Sequence, residues 1–214
     1  MKRVVVLIDG FNLYHALDYS VVPANPYINP HRYRKYKWID LFKLGSSYVY
    51  NKADTLNGVY WFTTYAHWDS AKVLKHTAFV KAQETQGVNV VFGEFKKKTK
   101  YCKVCKNNSH TYEEKQTDVN IALTLLRLAV ENAYDKVIII SGDTDLIPAI
   151  KTVREMYPEK EIGVVIPIGK ISEAFKKTAD FYHKMKESHL ISALLADPFT
   201  CSDSSTINCP ATWK

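Results

Sequence analysis

Long apolar runs are missing from this sequence. Its longest strictly aliphatic stretch is Val4 to Ile8, far short of the ~20 residues a bilayer-spanning helix needs. That argues against a membrane-spanning protein. A secretory signal is missing too, because the apolar stretch after Lys2-Arg3 stops at Asp9, too soon for a signal core. The expectation is an intracellular, cytoplasmic protein with no membrane partner. Cysteine is scarce: four residues in two distant pairs, Cys102 with Cys105 and Cys201 with Cys209. An intracellular chain of 214 residues does not need disulfides to fold, since it can bury roughly 70% of its unfolded surface. There is no internal repeat. With 46% apolar and 24% charged residues, wholesale disorder is excluded. Acid is in deficit, 22 Asp and Glu against 29 Lys and Arg, for a net charge of +7. The surplus points to an anionic partner, nucleic acid first, unless it serves only solubility.

Short β-rich runs recur at Val4–Ile8, Val59–Tyr65, Val88–Phe95, Val137–Ser141 and Ile162–Pro167. Several are continuously aliphatic, which suits strands buried on both faces of a parallel sheet. Helical spacing fills the gaps at about Asp40–Asn51, Asp69–Gln86, Thr117–Asn132 and Leu146–Tyr157. The alternation predicts an α/β sandwich with a mostly parallel sheet. Three stretches break it. Val21–Lys37 carries Pro23, Pro26 and Pro30, Lys96–Glu114 is lysine-rich, and the chain from Asp197 onward reads as a loose tail.

In parallel sheets, sites form beyond the carboxyl ends of strands. Asp9-Gly10-Phe11-Asn12 follows the first strand, and Ser141-Gly142-Asp143-Thr144-Asp145 follows the fourth. Asp118 opens a helix that is apolar on nearly every face and is therefore expected to be well buried. Carboxylates gathered in one cleft raise each other's pKa, and a divalent cation relieves that cost. Mg²⁺ and Mn²⁺ favour oxygen ligands and can activate water beside a phosphodiester. Asp9, Asp118 and Asp143 are the expected metal ligands, Asp145 lies beside them, and Asn12 is placed to orient a carboxylate or the attacking water. Each carboxylate also has a structural reading as a turn or helix cap. Their assembly at two strand ends favours a site.

These same residues carry a resemblance. Asp9-Gly-Phe-Asn12-Leu, Glu-Lys-Gln-Thr-Asp118-Val-Asn-Ile-Ala and Ser-Gly-Asp143-Thr-Asp145-Leu, with Gly163-Val-Val-Ile-Pro167 and Ala179-Asp180-Phe181, resemble the NYN domain, the LabA-like branch of the PIN-like nucleases. The similarity runs over about residues 2 to 195, so residues 1–196 are expected to be the domain and 197–214 the tail. It implies a PIN-like three-layer α/β/α sandwich and a Mg²⁺- or Mn²⁺-dependent ribonuclease, with the acidic site on Asp9, Asp118, Asp143 and Asp145 and Asn12 beside them. Many relatives carry a further Asp six residues after the one matching Asp118. Thr124 stands there, which leaves open a weaker site or an RNA binder without turnover.

RNA binding is expected from two basic segments. His31-Arg32-Tyr33-Arg34-Lys35-Tyr36-Lys37 interleaves cations with aromatics, so that Arg32, Arg34, Lys35 and Lys37 would neutralise phosphates while rings stack on bases. Lys97 and Lys98 belong to a second acid-free run just before Asp118. Cys102-Lys-Val-Cys105 reads as half a structural Zn²⁺ site, with His110 as third ligand and His67, His76, a tail cysteine or a second subunit as fourth; free thiols are the alternative. The sequence leaves homo-oligomerisation open.

Overall fold

The computed structural model describes residues 1–18, 31–101, 103–104 and 106–214. Cys102, Cys105 and the prolines at 23, 26 and 30 lie outside the described residues. In chain order, β1 (Arg3–Asp9) leads into α1 (Gly10–Asp18), α2 (Leu41–Ser46) and β2 (Thr55–Thr63). Next come α3 (Ser70–Thr85), β3 (Val88–Phe92) and a hairpin of β4 (Glu94–Tyr101) and β5 (Asn108–Lys115). Then follow α4 (Thr117–Val130), β6 (Lys136–Ile140), α5 (Ile147–Met156), β7 (Glu161–Ile166), α6 (Glu173–Thr178), β8 (Phe181–Lys184) and α7 (Glu187–Ser192). A short pair, β9 (Phe199–Thr200) and β10 (Thr206–Ile207), sits in the tail.

The main sheet has six strands in the order β3-β2-β1-β6-β7-β8, and every pairing is parallel. The continuous aliphatic run of β1 follows from its central place. Val4, Val6 and Ile8 face one core with Leu13 of α1, Leu41 and Leu44 of α2, and Phe79 of α3. Val5 and Leu7 face the other, with Ile121 and Leu125 of α4, Ile150 of α5 and Phe175 of α6. Helices therefore cover both sides, the three-layer α/β/α arrangement of a PIN-like sandwich. Strand order runs outward in opposite directions from β1 and β6. The crevice between their carboxyl ends is the topological switch point, where open α/β sheets bind ligands.

Several expectations need correction. The strand anticipated over Val88–Phe95 is two strands. The chain turns at Gly93, whose N–H donates to the Thr63 carbonyl at 2.8 Å, and β4 leaves the main sheet to pair only with β5. The helix at Asp40–Asn51 is shorter, with the Asp40 carboxylate accepting the Lys43 N–H at its start. Helix α4 is not buried all round: Val119, Leu123 and Val130 are exposed, because only one stripe of it meets the sheet. Nor is the tail loose. Phe199, Cys201 and Cys209 are buried, and the Trp213 ring meets Trp38 and Phe79 at centroid distances of 6.4 and 5.6 Å.

Candidate active site

Asp9 ends β1, and α1 begins at the next residue. No side chain fits at Gly10, where a Cβ would lie 2.4 Å from the Phe62 carbonyl oxygen. The glycine lets the helix start directly against β2. Asp9 is buried, and both its carboxylate oxygens are held. Oδ1 accepts the Asn12 N–H at 2.9 Å, capping α1, and Oδ2 accepts the Ser141 hydroxyl at 2.7 Å. The cap and the site are thus one residue. Asn12 bridges the two strand ends, its side-chain oxygen accepting the Gly142 N–H at 2.9 Å. The Ser141 hydroxyl also accepts the Asp143 N–H at 3.0 Å, and Asp143 in turn accepts the Asp145 N–H at 3.0 Å. A continuous hydrogen-bonded chain runs from β1 to the loop after β6.

Asp9, Asp118 and Asp143 line one cavity of about 260 Å³ together with Asn12 and Glu114. Phe11, His15 and Lys170 complete its wall. Burial, the first cause, and then the charges of Asp9, Asp143, Glu114 and Asp145 push Asp118 up to about 6. Burial also raises Asp9, against its two hydrogen bonds. His15 is lowered, by burial first and then by Lys170. Asp145 stands outside the cavity, exposed at the rim on a single turn spanning Thr144–Leu146.

Sequence reasoning missed four of the groups here. Ser141 precedes Gly142 and looked like an unremarkable serine; it positions Asp9. Glu114 comes from β5, where its carboxylate also accepts the Thr117 N–H at 3.0 Å and caps α4. Lys170 lies in the turn after β7, and its N–H donates to the Pro167 carbonyl at 3.1 Å. His15 lies one turn beyond Asn12, and no motif marked it. Thr124 lies on α4 and is buried.

Among the described residues, no three His, Cys, Asp or Glu side chains form a ready cage for a metal ion. The donor set nonetheless suits a hard cation. Four carboxylates share a cavity, where burial and then the neighbouring charges raise the pKa of Asp118, and Mg²⁺ keeps several waters between itself and its protein ligands.

The basic segments divide. Tyr33, Tyr36 and Trp38 are core residues, so they offer no stacking surface. Lys37 is buried, paired with Asp18, and its ammonium lies 3.9 Å from the Tyr14 ring centroid. Arg34 also pairs with Asp18, at 3.1 Å. These two cations hold the first segment onto α1, contrary to the expectation for Lys37 as a phosphate contact. Arg32 and Lys35 remain exposed, over the Tyr33 and Tyr36 rings at 4.4 and 5.0 Å. On the hairpin, Lys98 pairs with Glu113 at 2.9 Å, whereas Lys97 is exposed and forms no ion pair among the described residues. His110 is exposed and meets the Thr99 hydroxyl at 3.2 Å. His76 is half-buried, hydrogen-bonded to Thr63 at 3.0 Å and lowered to about 4 by desolvation.

No helix among the described residues is long and apolar enough to cross a membrane. A solved protein of unknown function from Vibrio parahaemolyticus has a similar fold, with a TM-score of 0.56 at 16% identity over 91% of this chain and 96% of that one. A 6-hydroxy-3-succinoylpyridine 3-monooxygenase of Pseudomonas putida is 36% identical over 85 residues, or 39% of this chain, and the match spans only 27% of that protein's length. The NYN domain model matches residues 3–188. That span takes in both strand ends, the hairpin and α4, and NYN domains are generally nucleases with RNA-related functions. The carboxylates at the switch point, the sandwich around them and this match agree: the chain belongs to the NYN domain family.

Proposed function

We propose that the protein is a Mg²⁺- or Mn²⁺-dependent ribonuclease that hydrolyses RNA phosphodiester bonds. The observation that carries this reading is the gathering of Asp9, Asp118, Asp143 and Glu114 around one cavity at the switch point. When bound, the metal would supply an activated water and charge to steady the leaving oxygen. Asp9, Asp118 and Asp143 would hold it. Asn12 and Ser141 position the carboxylates through the hydrogen bonds described. Lys170 lines the same cavity and would supply positive charge to an anionic phosphate there.

The test is cleavage of labelled RNA with Mg²⁺, Mn²⁺ or EDTA, by wild type, Asp9→Asn and Asp143→Asn. Cleavage that needs metal and falls at least about a hundredfold in both variants supports the reading. Equal cleavage by all three proteins, or none with either metal, ends it. The lack of a preformed cage and the buried Thr124 favour a second reading, an RNA-binding protein without turnover. Binding without cleavage would establish that one.

A further inference from the structure

A second and larger cavity, of about 540 Å³, adjoins the acidic one. Its volume is that of an ordinary small-ligand site. Three features make the two cavities neighbours. Asp9 lines the acidic cavity and Gly10 the larger one, while Phe11 lines both. The hairpin does the same from the other side. Phe95 of β4 lines the larger cavity and its cross-strand partner Glu114 the acidic one, and such directly opposed side chains stand only about 5 Å apart. The two form one cleft, acidic at one end and aromatic at the other.

The other end is aromatic. Half-buried Phe95 and Trp213 and exposed Trp68 line it, and so do the buried core rings of Trp61 and Phe79. Trp68 is braced by Tyr112, stacked at 3.7 Å with rings 5° from parallel. Lys75 of α3 adds positive charge to the lining, where Lys72 pairs with Asp69 at 3.3 Å. Trp61 and Thr64 line the cavity and give its wall an indole N–H and a hydroxyl beside the rings. A planar ring with polar edges would stack on the walls and meet them. With a cation in the lining and a phosphate-directed site next door, the ring that fits is a base on a phosphate backbone.

We infer that this cavity receives one unpaired nucleobase of the RNA strand whose phosphate lies at the acidic site. The inference rests on the ribonuclease reading for the placement of that phosphate, and on the cavity alone for the base. It makes the substrate single-stranded at the cut, since a paired base cannot leave its stack without cost. Trp61, Trp68 and Trp213 are three of the chain's four tryptophans, so an entering base should quench most of the intrinsic fluorescence.

The experiment uses the full chain in EDTA, where nothing is cut. Single-stranded RNAs of roughly eight nucleotides, each with one abasic position, are titrated while tryptophan emission is followed. One position should stand out, its loss weakening binding about tenfold and removing the quench, in keeping with the stacking energy of a single base. Ala66→Phe, which adds a ring to the cavity wall, should abolish that position's advantage, with circular dichroism and melting confirming the fold. Equal affinity and equal quench across the abasic series would overturn the inference. So would quenching by a free nucleoside that RNA fails to compete, which would mark a small-molecule site. A standout position without cleavage by the metal-loaded protein leaves the base site intact and rejects the nuclease; cleavage with a flat abasic series does the reverse.

Discussion

The ionised Asp118 is costly to the folded protein. Its pKa near 6 exceeds the usual carboxylate value because burial and four neighbouring acids oppose its charge. A raised folded-state pKa means that the folded protein binds the proton more tightly than the unfolded chain does. Stability from this group is therefore fully present below about pH 4 and lost as pH rises through 6. At pH 7 the penalty is on the order of 1 kcal/mol once solvent screening is allowed for. Asp118→Asn should melt about 2–4 °C higher than wild type in EDTA at pH 7.5, with the gap closing near pH 4. Saturating Mg²⁺ should raise the wild-type melting temperature and leave the variant's nearly unchanged. Asp9 and Asp143 were legible in the sequence because a strand end is itself a signal. Glu114, His15 and Lys170 were not, because each reaches the cavity from an element whose position depends on packing far away in sequence.

Among the elements, the β4–β5 hairpin was the least readable. A strand pattern of alternating lysines looks like a solvated loop, and its inner face becomes visible only once the register pairs Phe95 with Glu114 and Lys97 with Tyr112. That register separates two kinds of lysine. Lys98 and Lys115 share Glu113, whereas Lys97 and Lys100 form no ion pair among the described residues and are exposed. If the hairpin guides a strand toward the cleft, Lys97→Ala and Lys100→Ala should each lower the slope of log affinity against log salt by about 0.7 for single-stranded RNA. Lys98→Ala should change it less. Filter binding between low and moderate salt measures all three. In the first basic segment, by contrast, aromatic and cation spacing predicted a binding surface, whereas its rings and Lys37 proved to be packing and Arg32 and Lys35 stay exposed. Tyr33 and Tyr36 fill the core, and Lys37 is bound to Asp18. Interleaving of charge and ring is ambiguous in sequence because a long lysine stem buries as readily as it reaches out.

At the scale of the whole molecule, the parallel sheet was readable from its double-sided aliphatic strands, while the closing by the tail of the core beside α1, α2 and α3 was not. Ser, Thr and Asn between Asp197 and Lys214 conceal three anchors, Phe199, Cys201 and Trp213, each packed with that core. Phe199→Ala should cost about 3 kcal/mol, visible as a lower urea midpoint with little change in slope; a loose tail would have made the substitution silent. The sheet order has a further consequence, in time. β1 is sandwiched between β2 and β6, yet Ile8 and Ile140, which pair across that seam, are far apart in the order of synthesis. At typical translation speeds the ribosome needs on the order of ten seconds to pass from one to the other. Throughout that interval the edge of β1 that meets β6, and the Val5 and Leu7 side that α4, α5 and α6 cover, wait for their partners, an aggregation-prone exposure of the nascent chain.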